Sequence, residues 1–245
     1  MLSTILTAVI TTTQNNRSEL KNYHMCGRYT LAAGPEYITD YFHIDGPIPK
    51  FHPSWNITPG GDVPVICQAP DDGRACSLMH WGLIPHWAKE RNAKYKMINA
   101  KAETLSTRPA YRDAYKHRRC LIPASGFYEW HTDSQGKQPY YIHSKDDGLL
   151  AFAGLWEYWE GEHLINSCTI ITTEANALIQ SIHDRMPVII DRENYDSWLN
   201  PYNTDTNELI KLLGPCDINL LNFYRISTAV NNPAHDNRAL IDRID

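Results

Sequence analysis

Short apolar or alternating segments, bounded by Gly, Asp, Ser and Pro, recur through the middle of this chain and constrain its fold more than any other feature. Each segment has the length and the bounding residues typical of a β-strand. They are residues 63–68, 77–83, 120–123, 127–131, 138–143, 149–156, 167–172, 186–190 and 220–227. Helical segments fall between some of them without a regular strand–helix alternation. This pattern predicts an α+β fold with an antiparallel, barrel-like β core and interspersed helices.

Four segments carry signals for helices. Pro35 opens the segment 35–42 and favours the first position of a helix. Asp191 is a candidate N-cap for a helix that runs to Leu199, and Gly214 ends a helix over 206–213. A further helix is predicted over 174–182. Repeated Pro and Gly between 47 and 64 predict a structured loop.

The domain organisation is simple, because no linker or internal repeat divides the chain. We therefore predict one domain over residues 25–245. The apolar stretch Met1–Ile10 has no Lys or Arg before it and is too short to span a membrane. We interpret residues 1–24 as a disordered leader or as a mis-assigned start upstream of Met25.

Charge is distributed unevenly along the sequence. The net charge is −5, which argues against general binding to nucleic acids. Between Lys89 and Arg119, however, ten Lys or Arg residues stand against three Asp or Glu residues, and the rest of the chain carries −12. This basic region is either a solvated surface or a local site for phosphate groups.

The six cysteines are widely spaced and form no Cys-x-x-Cys pair. This spacing argues against a zinc site and against a thioredoxin-like motif, and we expect neither a metal nor an organic cofactor. Without a convincing secretion signal, free thiols in a reducing compartment are expected. That compartment is the cytoplasm if the host is bacterial and the nucleus if it is eukaryotic.

Cys26 directly follows Met25, so removal of a preceding Met would expose a cysteine with a free α-amine. The pKa of an α-amine is about 7.7–8.0 against about 10.4 for lysine, so roughly 300-fold more of it is unprotonated at neutral pH. Such an amine attacks an aldehyde to give an imine, and the neighbouring thiol then closes a thiazolidine ring. A buried cysteine without a chemical role is the alternative interpretation.

Five motifs in a fixed order carry a resemblance to a known family. They are Met-Cys-Gly-Arg-Tyr at 25–29, Trp-Gly-Leu-Ile-Pro-His-Trp at 81–87, Asn-Ala-Lys-Ala-Glu-Thr at 99–104, Arg-Cys-Leu-Ile-Pro-Ala-Ser-Gly-Phe-Tyr-Glu-Trp at 119–130, and His-Asp-Arg-Met-Pro at 183–187. This series resembles the SRAP family, the SOS response-associated peptidases. The resemblance implies an abasic-site processing protein, of lyase or peptidase type, that crosslinks covalently to ring-opened abasic sites in single-stranded DNA and at strand junctions.

The resemblance also implies roles for four catalytic residues. Cys26 would be the nucleophile through its amine and thiol, and Asn99 would position that amine and the sugar. Glu129 matches the acid–base residue of the family. His183 matches the histidine that assists proton transfer at the sugar.

The implied DNA contacts fall into two groups. Arg28, Lys101 and Arg185 would hold phosphates, although Lys101 replaces the arginine that is common at its position and so loses the bidentate fork. The segment Trp81–Trp87, with Pro59 and Trp55, resembles the part that kinks DNA and stacks on bases, and Trp55 could equally be a core residue. The partner would be single-stranded DNA with abasic sites or strand junctions, bound by a monomer away from membranes.

Residues 1–24 affect this chemistry directly. With them attached, the Cys26 nitrogen is an amide that has no lone pair to offer an aldehyde. Translation from Met25, removal of the leader by proteolysis, and an inactive copy are three open explanations, and the first is favoured.

Two other functions remain open. One is a thiol peptidase that acts on its own leader, with Cys26 as nucleophile, His183 as base and Glu129 or Asn99 as the orienting group. The other is a non-covalent reader of modified or single-stranded DNA, for which Cys26 would be dispensable.

Overall fold

The computed structural model describes residues 26–69, 73–90, 97–134 and 136–244. The predicted leader 1–24 lies outside these residues. Among the described residues, no helix is long and apolar enough to cross a membrane.

The described residues form mostly β-strands. In chain order, the strands are β1 Tyr29–Leu31, β2 Ser54–Ile57, β3 Asp62–Gln68, β4 Arg74–Trp81, β5 Asn99–Lys101, β6 Arg119–Ala124, β7 Gly126–Asp133, β8 Gly136–Ser144, β9 Leu150–Glu160, β10 Leu164–Glu174, β11 Arg185–Pro187 and β12 Leu221–Arg225. The α-helices are α1 Pro35–Phe42, α2 Arg112–His117, α3 Tyr195–Leu199 and α4 Thr206–Leu209. The 3₁₀ turns are Ala102–Thr104, Ile179–Ser181, Arg192–Asn194, Ile210–Leu213, Thr228–Asn231 and Arg238–Ile241.

Five strands close into a barrel. Its order is β10, β4, β3, β6 and β9, and β9 returns to pair with β10. All neighbours are antiparallel except β10 and β4, which run parallel. Closure removes the free edges that an open sheet would expose, and it encloses an apolar interior. The predicted barrel-like α+β fold is thereby confirmed, with a mixed rather than purely antiparallel barrel.

A second sheet packs beside the barrel, in the order β12, β8, β7, β1 and β2. A separate apolar cluster covers one side of it, and Tyr128, Tyr141, Ile226, Val230 and Leu240 form its buried part. The cluster consists of residues from the sheet and from the C-terminal segment after β12. The two short strands β5 and β11 pair with β10 and extend the barrel sheet toward this second sheet.

Helix α1 agrees with its prediction in both bounds. Pro35 stands in its first turn with Glu36, and Ile38 and Phe42, four residues apart, are the buried positions. An acidic first turn and one apolar face are the features that stabilise a short helix at a protein surface. His43 follows it in the left-handed conformation and ends it.

The helix predicted over 174–182 is wrong. Strand β10 continues to Glu174, which pairs with Arg185 of β11. The Asn176 side chain then accepts a hydrogen bond from the Ile179 amide at 3.0 Å, and only a 3₁₀ turn follows at Ile179–Ser181. Asparagine stabilises such local turns in competition with a helix.

Three further expectations are corrected in part. The Asp191 side chain makes no capping hydrogen bond, although a 3₁₀ turn and α3 do follow it. The segment 206–213 divides into α4, whose N-terminus the Asp205 carboxylate caps, and a 3₁₀ turn. The predicted loop over 47–64 contains β2, a short strand at the edge of the second sheet.

A candidate active site where two sheets meet

Cys26 lies at the junction of the two sheets, three residues before β1. Strand β1 pairs with β7, with Tyr29 opposite Phe127 and Thr30 opposite Gly126. Continued toward the N-terminus, this antiparallel register places Gly27 opposite Glu129, so Cys26 is one residue away from that pair. The Cys26 backbone nitrogen donates a hydrogen bond to Glu129 Oε1 at 2.8 Å. Pairing between strands about 100 residues apart therefore creates this contact.

The backbone at Cys26 is strained as well as buried. Its φ is +29°, in a region of backbone conformation that residues other than glycine seldom adopt. Only 3% of the residue is exposed. Such strain persists where the surrounding structure fixes the conformation, and it is frequent at functional sites.

Glu129 is a buried carboxyl group, with 1% of the residue exposed. Burial raises its pKa above the usual value, while the nearby His183 and the hydrogen bond from Cys26 act in the opposite direction. Burial penalises the charged carboxylate, so this group keeps its proton to a higher pH than a surface glutamate does. Such a shift suits a group that must both take and release a proton near neutral pH.

The Cys26 thiol is a weak acid in this environment. Burial raises its pKa well above the usual value, and the Glu129 charge and hydrogen bond raise it further. The positive charge of Arg185 acts against this increase, so the guanidinium lies within electrostatic range of the thiol. The thiol is therefore held protonated and is a poor leading nucleophile.

Asn99 reaches the same place from the barrel sheet. It is the first residue of β5, and it pairs with Ile170 of β10. Its side-chain Nδ2 lies 3.5 Å from the Cys26 carbonyl oxygen. Tyr111 donates its hydroxyl hydrogen to the Asn99 carbonyl at 3.2 Å, which fixes the strand from the other side.

His183 comes from the turn that precedes β11. The Arg185 amide donates to His183 Nδ1 at 3.0 Å, which sets the orientation of the ring. The ring lies near enough for its charge to act on the pKa of Glu129. The predicted catalytic residues Cys26, Asn99, Glu129 and His183 thus surround one point, although they span 158 positions of the sequence.

Arg185 does not present its guanidinium to solvent as the phosphate role requires. Only 9% of the residue is exposed, and Nη1 and Nη2 bind both carboxylate oxygens of Glu103 at 2.6 and 3.0 Å. Nη2 also donates to the Thr172 carbonyl at 2.7 Å. In this conformation Arg185 therefore belongs to the wall of the site, and its role as a ligand of a flanking phosphate stays a prediction.

Arg28 is half-buried and partly committed to the protein. Its Nη1 donates to Asn56 Oδ1 at 2.7 Å and to the Val230 carbonyl at 2.8 Å. Burial lowers its pKa from the usual value. These contacts fix the guanidinium two residues after Cys26, and its role as a phosphate ligand stays a prediction.

The four predicted stacking residues separate into three classes of exposure. Trp81 is 1% exposed, packs edge-on against Tyr29 and donates to the Ile98 carbonyl, so it is a core residue and the expectation that it stacks on bases is wrong. Trp87 is 57% exposed. Trp55 and Pro59 are partly buried, and Trp55 packs against the cluster beneath the second sheet. Trp87 therefore has the most ring surface available to a base.

The basic region also divides between surface and interior. Arg119 is 2% exposed and donates to backbone carbonyls that include those of Tyr115 and Trp198. Arg118 pairs with the buried Glu157 at 2.7 Å. Both cations are therefore structural. Among the described residues of this basic region, the exposed cations are Lys89, Lys101, Arg108, Arg112 and Lys116. Arg91, Lys94 and Lys96 lie outside the described residues.

The structure adds two residues that the sequence analysis did not single out. Glu103 holds Arg185, and it stands in the quoted motif at 99–104, so its place in that motif was an available signal. Asn56 is 5% exposed and holds Arg28 and the C-terminal segment. Asn56 stands in none of the five quoted motifs, so the sequence offered no comparable signal for it.

No group of His, Cys, Asp and Glu side chains within the described ranges could hold a metal ion. All six cysteines are free thiols.

Comparison with known proteins gives a match to one family over most of the chain. The sequence profile of the SOS response associated peptidases (SRAP) matches residues 25–233. The match begins one residue before Cys26 and includes every candidate site residue.

Two curated relatives match over nearly their full length, and a third matches over about two thirds of it. Abasic site processing protein YoqW of Bacillus subtilis is 46% identical over 224 residues, which cover 89% of this chain and 99% of that protein. Abasic site processing protein YoaM of the same organism is 44% identical and covers 89% and 98%. Abasic site processing protein HMCES of Xenopus tropicalis is 33% identical and covers 77% and 65%.

Solved structures share the fold. A crystal structure of a protein from Bacteroides thetaiotaomicron matches with a TM-score of 0.81 at 24% identity, covering 89% of this chain and 100% of that one. A protein from Bordetella bronchiseptica matches with a TM-score of 0.69 at 26% identity, covering 82% and 100%.

Proposed function

Since the chain belongs to the SRAP family, whose curated members include abasic site processing proteins, we propose that it processes abasic sites in DNA by covalent capture through Cys26. The observation that carries this proposal is the 2.8 Å hydrogen bond between the Cys26 nitrogen and Glu129 Oε1. This hydrogen bond places a buried acid–base group next to the nitrogen that becomes a free amine when Cys26 is the first residue.

The amine reacts before the thiol, because burial and Glu129 keep the thiol protonated. Glu129 takes a proton from the Cys26 ammonium group, and the amine attacks the C1′ aldehyde of the ring-opened sugar. The same carboxyl group returns the proton to the hydroxyl of the carbinolamine, which leaves as water and gives an imine. Capture therefore starts with Glu129 as a carboxylate, and the same group acts first as the base and then as the acid.

The thiol of Cys26 then closes the thiazolidine ring. Its sulfur adds to the C1′ carbon of the imine, and the thiol proton passes to the nitrogen. An aldehyde and an aminothiol have then given a thiazolidine and one water. Two bonds from the protein to the same carbon make this product harder to reverse than an imine.

Asn99 and His183 complete the arrangement. The Asn99 amide beside the Cys26 carbonyl holds the first residue in place while its amine reacts. His183 has its Nδ1 engaged by the Arg185 amide, so Nε2 is the nitrogen that assists ring opening of the sugar. Arg28 and Lys101 are the proposed phosphate ligands, and the lesion is taken in single-stranded DNA or at a strand junction by a monomer.

The test is adduct formation with single-stranded DNA that carries one abasic site. A protein that begins at Cys26, as shown by intact mass, should give a denaturation-resistant adduct, with a mass equal to protein plus DNA minus one water. Cys26→Ser, which keeps the amine and lacks the thiol, should give an adduct only when borohydride reduces the imine.

Cys26→Ala separates this function from that of a non-covalent reader. It should keep affinity for single-stranded DNA while losing the stable adduct. A wild-type protein that begins at Cys26 and binds this DNA without forming an adduct would overturn the proposal.

A second candidate function is cleavage of the bond before Cys26, which would produce the reactive amine. The strained Cys26 backbone and the hydrogen bond to Glu129 favour it, because Glu129 lies on the nitrogen that would leave. Glu129 would take the thiol proton as the sulfur attacks the Met25 carbonyl carbon, and it would pass that proton to the Cys26 nitrogen as the acyl group moves from nitrogen to sulfur. Water would then hydrolyse the thioester. Full-length protein should then lose residues 1–25 in purified form, and Glu129→Gln should slow that loss.

A further inference from the structure

The segment Ile84–Ala88 presents the exposed Trp87, and side chains on β9 and β10 attach it to the barrel at three points. The Ile84 amide donates to Ser167 Oγ at 2.9 Å. His86 Nδ1 lies 3.4 Å from Glu157 Oε1, and Trp159 Nε1 donates to the Ala88 carbonyl at 2.7 Å. The attachments at His86 and Ala88 flank Trp87 on both sides.

Glu157 is an unusual anchor for an exposed segment. The residue is 2% exposed, and its Oε1 also accepts from Arg118 Nη2 at 2.7 Å. A buried carboxylate needs such a cation, because an unpaired buried charge is costly. Ser167 lies opposite Glu157 in the pairing of β10 with β9, so the anchors at Ile84 and His86 are neighbours on one rigid surface.

Trp159 is held in its position by the next turn. A Cβ atom at Gly161 would lie 2.1 Å from the Trp159 ring, so the ring packs directly over a glycine. The indole is therefore folded back against its own hairpin, with 9% of the residue exposed. In this position its N–H reaches the Ala88 carbonyl.

We propose that Glu157 and Trp159 are positioning residues for Trp87, which they hold in place to stack on a base beside the lesion. This rests on the proposed function, since it requires that Trp87 contact DNA. An exposed indole on a mobile segment would lose conformational freedom on stacking. Because the segment is attached on both sides of Trp87, its conformational freedom is already restricted in the free protein. Less conformational freedom is then lost when Trp87 stacks on a base.

The experiment is a double-mutant cycle on adduct formation, with the half-saturating DNA concentration and the rate at saturation as separate readouts. Trp159→Phe removes the N–H donor and keeps an aromatic ring. It should raise the half-saturating concentration by about five-fold, within the range that base–aromatic stacking supplies, and leave the saturated rate unchanged. In a Trp87→Ala background the same substitution should have no further effect.

Glu157→Met tests the other attachment in the same way, because it removes the acceptor for His86 and keeps a side chain of similar length. Tyr158→Phe is the matched control, because Tyr158 lies between the two anchors and is 44% exposed on the opposite face of the strand. It should leave both readouts unchanged. Equal effects of Trp159→Phe with and without Trp87, or a fall in the saturated rate, would overturn the proposal.

Failure of covalent capture is distinguishable from failure of this inference. If the wild type forms no adduct, the same cycle is measured as non-covalent binding of undamaged single-stranded DNA by fluorescence anisotropy. Hydrogen exchange of the segment 84–88 in the free protein should also accelerate in Trp159→Phe. Unchanged exchange together with unchanged binding would reject the positioning role whatever the chemistry at Cys26.

Discussion

Glu129 shows how one residue can serve chemistry at a cost to stability. Its carboxyl group is buried beside the Cys26 nitrogen, and burial raises its pKa. A raised pKa in the folded state means that the folded protein binds this proton more tightly than the unfolded chain. The stabilising contribution is therefore present at low pH and is lost as the pH rises through the folded-state pKa.

Glu129→Gln should consequently trade activity for stability. At pH 7 the variant should melt higher than the wild type by about 2–4 °C, since a neutral amide avoids burial of a charge and still accepts the Cys26 hydrogen bond. This difference should shrink toward pH 4. Its adduct formation should be slower by roughly 100-fold, the lower range for loss of an acid–base group.

Thermal melting at both pH values and the rate of adduct formation measure the two effects. Thr132→Ser, farther along the same strand, is a control that should alter neither. A Gln variant that melts lower at pH 7 would contradict the inferred cost of the buried carboxyl group.

At the scale of elements, the barrel depends on close approach between β9, β6 and β10. A Cβ atom at Gly154 would lie 2.8 Å from Cys120 Sγ and 3.0 Å from the Thr169 carbonyl oxygen. The carbonyl belongs to a paired strand and cannot move aside without disturbing the barrel. Glycine is required here by space and not by backbone conformation.

Gly154→Ala should therefore lower the free energy of unfolding by about 1–3 kcal/mol, as overpacking in a core does. Gly214→Ala is the control, because no atom lies within 4 Å of its added Cβ. Denaturant unfolding of both variants makes the comparison. Equal stability of Gly154→Ala and wild type would show that the barrel can widen at this point.

At the scale of the whole molecule, charge decides how the protein meets DNA. The chain carries −5, so attraction to phosphates must be local. Arg108, Arg112 and Lys116 are exposed and lie four residues apart in the sequence. The backbone amides of Arg108 and Arg112 each donate to the carbonyl four residues earlier. Tyr111, within this series, contacts the Asn99 carbonyl. These three cations, Arg108, Arg112 and Lys116, therefore form a ridge that begins beside the candidate site.

Neutral substitutions on this ridge should reduce the salt dependence of binding. With Arg108→Gln and Lys116→Gln, the slope of log affinity against log salt concentration should decrease in magnitude by about 0.7 for each cation that contacts a phosphate of single-stranded DNA. Lys211→Gln is the control, because Lys211 pairs with Glu208 of α4 and is not one of the ridge cations. An unchanged slope in the double variant would exclude the ridge from the DNA path.

The sequence by itself determined the local features of this protein. Helix α1 follows from Pro35 and two apolar positions, and most strands follow from their alternating segments. The motifs around Cys26 and Glu129 identified the family and the candidate catalytic residues. These features depend on neighbours in the chain or on residue types in a fixed order, so they can be read without the fold.

Only the tertiary structure decided which of these side chains are available. Trp81 and Trp87 stand in one motif, yet one is in the core and the other is exposed. Arg119 and Arg185 look like surface cations in the sequence, yet backbone carbonyls and Glu103 enclose them. Burial and pairing between distant strands set these outcomes, and they also set the pKa of Glu129 beside Cys26. Neither the burial of a side chain nor its pairing across distant strands is encoded by residues near in sequence.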